Sequence, residues 1–150
     1  MSNDDIVDAL NKLIETSKDG EYGFRLCSEH LNDAGMRQAF AHRASECAQA
    51  AAELQSIVLR FGGSPEESGT AGGALHRGWV AVKGSLTGYT DVGILEETER
   101  GEDEAMAAYR EALAQPLPAD VREVVERHFE GVKRNHAHVR TLRDQAKAVA

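Results

Sequence analysis

Leu95-Glu96-Glu97-Thr98-Glu99-Arg100-Gly101-Glu102-Asp103-Glu104-Ala105-Met106-Ala107-Ala108-Tyr109 is the stretch on which the fold turns. At 100° per residue, Leu95, Thr98, Met106, Tyr109 and Leu113 all fall within about 40° of Glu102. Glu102 therefore sits at the centre of an apolar stripe, and Glu99, one turn earlier, lies about 60° from it. A carboxylate that faces a core needs a cation, a hydrogen-bond network, a proton or a metal. The rest of the chain is read as a search for that partner.

Working outward, the same helical spacing recurs in three more long segments. Helices are expected over about residues 3–32, 36–61, 91–115 and 119–148. Ser2 or Asn3 caps the first, and Asp4 and Asp5 suit its positive end. Its stripe is Ile6, Leu10, Leu13, Ser17, Phe24 and Leu31, with Glu21 beside it. Asp33-Ala34-Gly35 is a tight turn into the second helix, whose stripe is Met36, Phe40, Cys47, Leu54, Val58 and Phe61. Arg43 lies within that stripe and Glu46 at its edge. Gly62-Gly63-Ser64-Pro65 ends the helix. Pro116 and Pro118 turn the chain into the fourth helix, where Val121, Val125, Val132, Val139 and Leu142 face inward, with His128 and His136 on either side.

Short, long and short connections between four helices specify an all-α, ferritin-like four-helix bundle in a single domain over 1–150. The long crossover, 62–90, carries a short extra helix over about 71–86. His76, Arg77 and Trp79 fall on that helix, either as a binding feature or, on the favoured reading, with Trp79 docking the crossover onto the bundle. With helices levelled through their turns, Glu21, Arg43, Glu46, Glu99, Glu102, His128 and His136 converge in one mid-bundle layer, to within about 8 Å. Gly20, Gly101 and Gly131 mark the same level. They make room either for large neighbours or for a ligand. The runs Glu96-Glu97 and Glu102-Asp103-Glu104 otherwise read as a solvated face.

Net charge is −8 and pI about 5.2, which argues against nucleic acid and anionic membrane surfaces as partners. The N-terminus has no signal-type apolar run, no segment is long and apolar enough to span a membrane, and the reading is cytoplasmic. Cys27 and Cys47 lie on apolar faces without metal-type spacing, as buried free thiols do.

Two functional readings stay open, and the sequence does not decide whether the protein is an enzyme. One is a binding or interaction module with a buried Glu/Arg/His network centred on Arg43, forming a homodimer or meeting a protein partner through the 62–90 crossover. The other is a carboxylate-bridged oxidoreductase or metal store holding iron, manganese or zinc on Glu21, Glu46, Glu99, Glu102, His128 and His136. Bundles of that second kind take a Glu-x-x-His pair from each of two helices, and this chain contains none. Arg43 competes as the counter-cation.

The strings Lys18-Asp19-Gly20-Glu21-x-Gly23-Phe24-Arg25, Ala51-Ala52-Glu53-Leu54-Gln55, Gly62-Gly63-Ser64-Pro65, Ala74-Leu75-His76-Arg77-Gly78-Trp79, Leu95 to Asp103 and Gly131-Val132-Lys133 together resemble a family of uncharacterised bacterial ferritin-like bundle proteins, a domain of unknown function. The resemblance implies a ferritin-like fold and a cytosolic, stress-linked protein. The superfamily pattern would give metal-site roles to Glu21, Glu46, Glu99 or Glu102, and His136.

Overall fold

In the computed structural model, which describes residues 1–69 and 90–149, four helices follow one another: α1 (Asn3–His30), α2 (Ala34–Arg60), α3 (Asp91–Leu113) and α4 (Ala119–Ala148). The expected short helix at 71–86, with His76, Arg77 and Trp79, lies outside the described residues, as does most of the 62–90 partner surface.

Local chemistry sets the helix ends. Ser2 and Asp5 form a capping box: each side chain accepts from the other's backbone N–H at 3.1 Å. Asp33 caps α2 by accepting from the Met36 N–H at 2.9 Å, and Thr90 caps α3 by accepting from Gly93 at 3.2 Å. No side chain caps α4. Instead Arg122 reaches back to the carbonyls of Leu113 (3.0 Å) and Gln115 (2.5 Å), tying off the end of α3.

The stop of α2 depends on two glycines. Gly62 adopts φ +78°, and the Gly63 N–H returns to the Val58 carbonyl at 3.0 Å. A Cβ on Gly63 would stand 2.6 Å from both methyls of Val7 and 3.1 Å from Val58 Cγ1. Val7 is β-branched and stiff, so it yields only by moving α1. Gly63→Ala is therefore expected to cost about 1–3 kcal/mol in urea unfolding; an unchanged midpoint would show that α1 and the α2 stop do not touch.

Two polar contacts fix the topology. Asp91, opening α3, accepts from the backbone N–H groups of Asn32 (2.8 Å) and Asp33 (3.3 Å) in the α1–α2 turn. Arg60, ending α2, pairs with Asp120, opening α4, at 2.9 Å. So α3 starts at the end of the bundle where α2 starts and runs parallel to it, and the chain between them connects opposite ends. α1 packs on α2 and α3, α4 packs on α3, and α2 and α4 meet more loosely.

The core is split. One apolar cluster gathers Leu10, Leu13, Leu54, Val58, Tyr109, Val121 and Val125. The other gathers Phe24, Phe40, Ala44, Ile94, Leu95 and Val139. Cys27 and Cys47 belong to the second and are free thiols. Each fully buried leucine or valine contributes about 1.5–3 kcal/mol, so both clusters drive folding. Between them the inward-facing side chains turn polar. One expectation is corrected: Glu97, placed on a solvated face with Glu96, is only 2 % exposed, and its Oε1 accepts from Arg100 at 3.2 Å.

Candidate functional site: a polar layer around a mid-bundle cavity

Glu102 is 4 % exposed. Its Oε2 accepts from Asn135 Nδ2 at 2.7 Å, while Oε1 has no hydrogen-bond partner among the described residues. Burial pushes its pKa up to about 7; Asn135 and Arg43 pull it down, and the neighbouring Asp103 and Glu99 add to the rise. The stripe-centre position read from Leu95 to Tyr109 places it here.

Arg43 enters from α2 with its side chain 11 % exposed. Its Nη1 lies 3.6 Å from Glu46, and the guanidinium stands 5.9 Å from the Phe24 ring centre. Nε has no partner among the described residues. Glu46 is 43 % exposed, so the pair faces solvent on one side only.

His128 enters from α4, its side chain 8 % exposed, with Nε2 2.7 Å from Glu53 Oε1. Burial holds its pKa below the ordinary histidine value, against the pull of Glu53. A neutral ring then carries its proton on Nε2, donated to Glu53, and leaves the Nδ1 lone pair without a partner among the described residues. Glu53 Oε2 also accepts from Arg127 at 2.7 Å, and this bond is the main reason its pKa is lowered.

The other four expected residues have partners of their own. Glu21 pairs with Lys18 and Arg25 on its own helix, each at 3.5 Å. Glu46 serves Arg43. Glu99 is bound by Arg143 and lies 3.6 Å from Arg140 Nε. His136 Nε2 meets the exposed Asp103 at 2.7 Å. Among the described residues, no three His, Cys, Asp or Glu side chains group as a metal ion requires. Within one chain, the set Glu21, Glu46, Glu99, Glu102, His128 and His136 therefore does not fit a resident iron, manganese or zinc: its members point to separate partners, and a guanidinium stands among them.

What the layer does border is a cavity of about 500 Å³, open to solvent on one side, walled by Gly20, Gly101 and Gly131 and by Arg43, Glu102 and His128, with the exposed Arg127 and Arg134 at its rim. The glycines differ in what they do. A Cβ on Gly20 would press on Cys47 Sγ at 2.9 Å, so Gly20 makes room for a neighbour. On Gly131 it would meet Arg43 Nη1 at 3.6 Å and Arg134 Nη2 at 3.7 Å, both ordinary contacts, so nothing there demands a glycine and the missing side chain leaves room between two guanidinium groups. Burial lifts both Cys27 and Cys47 to about 11, which keeps the thiols protonated and unreactive near neutral pH.

Two partners escaped the sequence reading. Counting through the proline turn sets Glu102 opposite Gly131, but its partner is Asn135, one turn further along α4. Glu53 sits seven residues after Glu46 and so on the same face of α2. That spacing was visible; its match to His128 depends on the α2–α4 register.

Four helices in this order, with α3 parallel to α2 and a polar layer at mid-length, define the ferritin-like class of bundles. Solved structures agree. A Dps1 mutant of Mycobacterium smegmatis matches with a TM-score of 0.75 at 13 % identity, over 94 % of this chain and 96 % of that one. A dodecameric thioferritin, the bacterioferritin-related protein from Bacteroides fragilis, matches with a TM-score of 0.76 at 14 % identity, over 99 % and 90 %. A C-terminal deletion mutant of Mycobacterium smegmatis Dps matches at 0.72 and 14 %, over 91 % and 96 %. These likenesses concern the fold. The chain itself belongs to the family described as domain of unknown function (DUF2383), whose family model matches residues 5–115. No curated protein matches it.

Proposed function

We propose that this protein is a cytosolic, stress-associated binding module, and that its mid-bundle cavity receives a small organic molecule. The observation that carries this reading is the cavity of about 500 Å³ whose wall residues Arg43, Glu102 and His128 each keep a buried polar atom with no partner among the described residues. That size falls within the usual range of ligand pockets, which are apolar with a few polar groups to orient the guest. Unpaired buried polar atoms cost about 1–3 kcal/mol each, a cost that a guest offering matching groups removes.

Thermal melts with 1-octanol and indole as probes test it. Saturating probe is expected to raise the melting temperature by about 4–8 °C, in line with about 2–3 kcal/mol of linkage in a chain this size. Val132→Phe, which extends a buried wall residue into the space, is expected to remove the response. A wild-type melt moved by neither probe overturns the reading.

The alternative, a metal store or carboxylate-bridged oxidoreductase, is supported by the fold likeness to a thioferritin; the donor geometry within one chain does not favour it. Elemental analysis of protein purified without chelator distinguishes the two. A homo-oligomeric state is proposed on the likeness to the dodecameric relative and is checked by sedimentation velocity.

A further inference from the structure

Resting on the cavity reading, we propose that the guest is a small monocarboxylic acid with an apolar body, its carboxylate held between Arg43 and Glu102. The chemistry of the wall selects that class. Arg43 is a largely buried cation whose ion-pair partner among the described residues, Glu46, is 3.6 Å away and 43 % exposed, so among these residues its charge is incompletely balanced and its Nε–H is unused. Glu102 is deeply buried beside Glu99 and Asp103, and desolvation keeps its proton on below about pH 7. Its unpaired Oε1 then presents an O–H. One charged and one neutral donor suit a single carboxylate, and with Arg43 the charges sum to zero.

Other classes fit less well. An ammonium would add a further cation beside Arg43 and Arg134. An alcohol would leave the guanidinium unbalanced. The bare backbone at Gly131, against Arg43 Nη1 and Arg134 Nη2, leaves space for the head group, and Phe24, Tyr109 and Val132 line apolar wall for the body.

Binding an ionised acid in this way requires Glu102 to be protonated, so affinity is tied to pH. The charged and titratable groups around Glu102 and its cavity are Glu21 on α1, Arg43, Glu46, Cys47 and Glu53 on α2, Glu99, Asp103, Glu104 and Tyr109 on α3, and Arg127, His128, Arg134 and His136 on α4. Glu21, Glu46, Glu99 and His136 are paired elsewhere, and the Cys47 thiol stays neutral. Burial holds His128 below the ordinary histidine value, and the Glu102→Gln variant isolates the part of the pH dependence that belongs to Glu102.

Calorimetric titration with octanoate, 1-octanol and octylamine, from about pH 6 to 9, tests the proposal. Octanoate is expected to bind at least about tenfold more tightly than the other two at pH 6, and to weaken about tenfold per pH unit above 7. Glu102→Gln is expected to bind octanoate with no such pH dependence. Arg43→Met is expected to lose at least about tenfold in octanoate affinity and to keep its octanol affinity. Octanol binding as tightly as octanoate, with Arg43→Met unchanged towards both, overturns the acid assignment and leaves the cavity reading standing. If none of the three probes binds, and the melts with octanol and indole are also flat, both readings fall.

Discussion

Glu102→Gln is expected to stabilise the protein by about 2–3 kcal/mol at pH 8 and by nothing at pH 4. The sign follows from the proton balance. The folded-state pKa of Glu102 is raised from the usual 4.5 to about 7, so between those values the native state holds a proton that the unfolded chain releases. The wild type therefore loses stability as pH rises through that window, and the loss is complete above about 7. Glutamine keeps the Asn135 hydrogen bond and has no proton to lose. His128 acts in the opposite direction: its folded pKa lies below the usual value, so its contribution falls as pH drops through the ordinary histidine range. It is present in both proteins and cancels in the difference. Urea unfolding of the two proteins across this pH range reads the effect directly. A difference flat with pH would mean that Glu102 ionises in the fold as it does in water.

Arg43→Ala is expected to cost about 3 kcal/mol, and Arg43→Met less than about 1 kcal/mol. The two substitutions separate packing from charge. The Arg43 side chain is 11 % exposed and its guanidinium stands 5.9 Å from the Phe24 ring, so truncation to alanine enlarges an existing void. Methionine keeps the length and apolar stem and removes only the charge. Below about pH 7 that charge has no ionised partner in the interior, because Glu102 is then protonated and Glu46 is half in water. Removing a buried charge of this kind is close to neutral when volume is kept. If methionine proved as costly as alanine, the guanidinium would be balancing an ionised Glu102, and the Glu102→Gln result would fail with it.

The helices were legible in the sequence because their signals are local. Ser2, Asp33 and Thr90 announce the starts, Gly62 and the prolines the stops, and α1 ends at His30 rather than Asn32. The inward position of Glu102 was legible too, since angle about a helix axis depends only on spacing. What could not be read was register between helices. A one-turn displacement of α4 along α3 exchanged Gly131 for Asn135 as the partner of Glu102. The match of Glu53 with His128 depends on two helices that no short turn connects. Glu97 escaped for a related reason: its neighbour Glu96 is exposed, and a run of acidic residues shows no difference between the inner and outer member.

The loose contact between α2 and α4 has a consequence for how the bundle breathes. Each of the tightly packed pairs, α1 with α2 and α3 with α4, forms a hairpin closed by a short turn. Across the α2–α4 seam the polar ties among the described residues are chiefly Glu53 gripping Arg127 and His128, and Arg60 gripping Asp120. The Arg127 and Arg60 pairs are exposed and hold weakly, and only the His128 end is buried. The hairpins can therefore lean apart along this seam at a small fraction of the cost of unfolding either one. Such leaning makes the polar layer the first part of the interior to trade its protons with the surroundings.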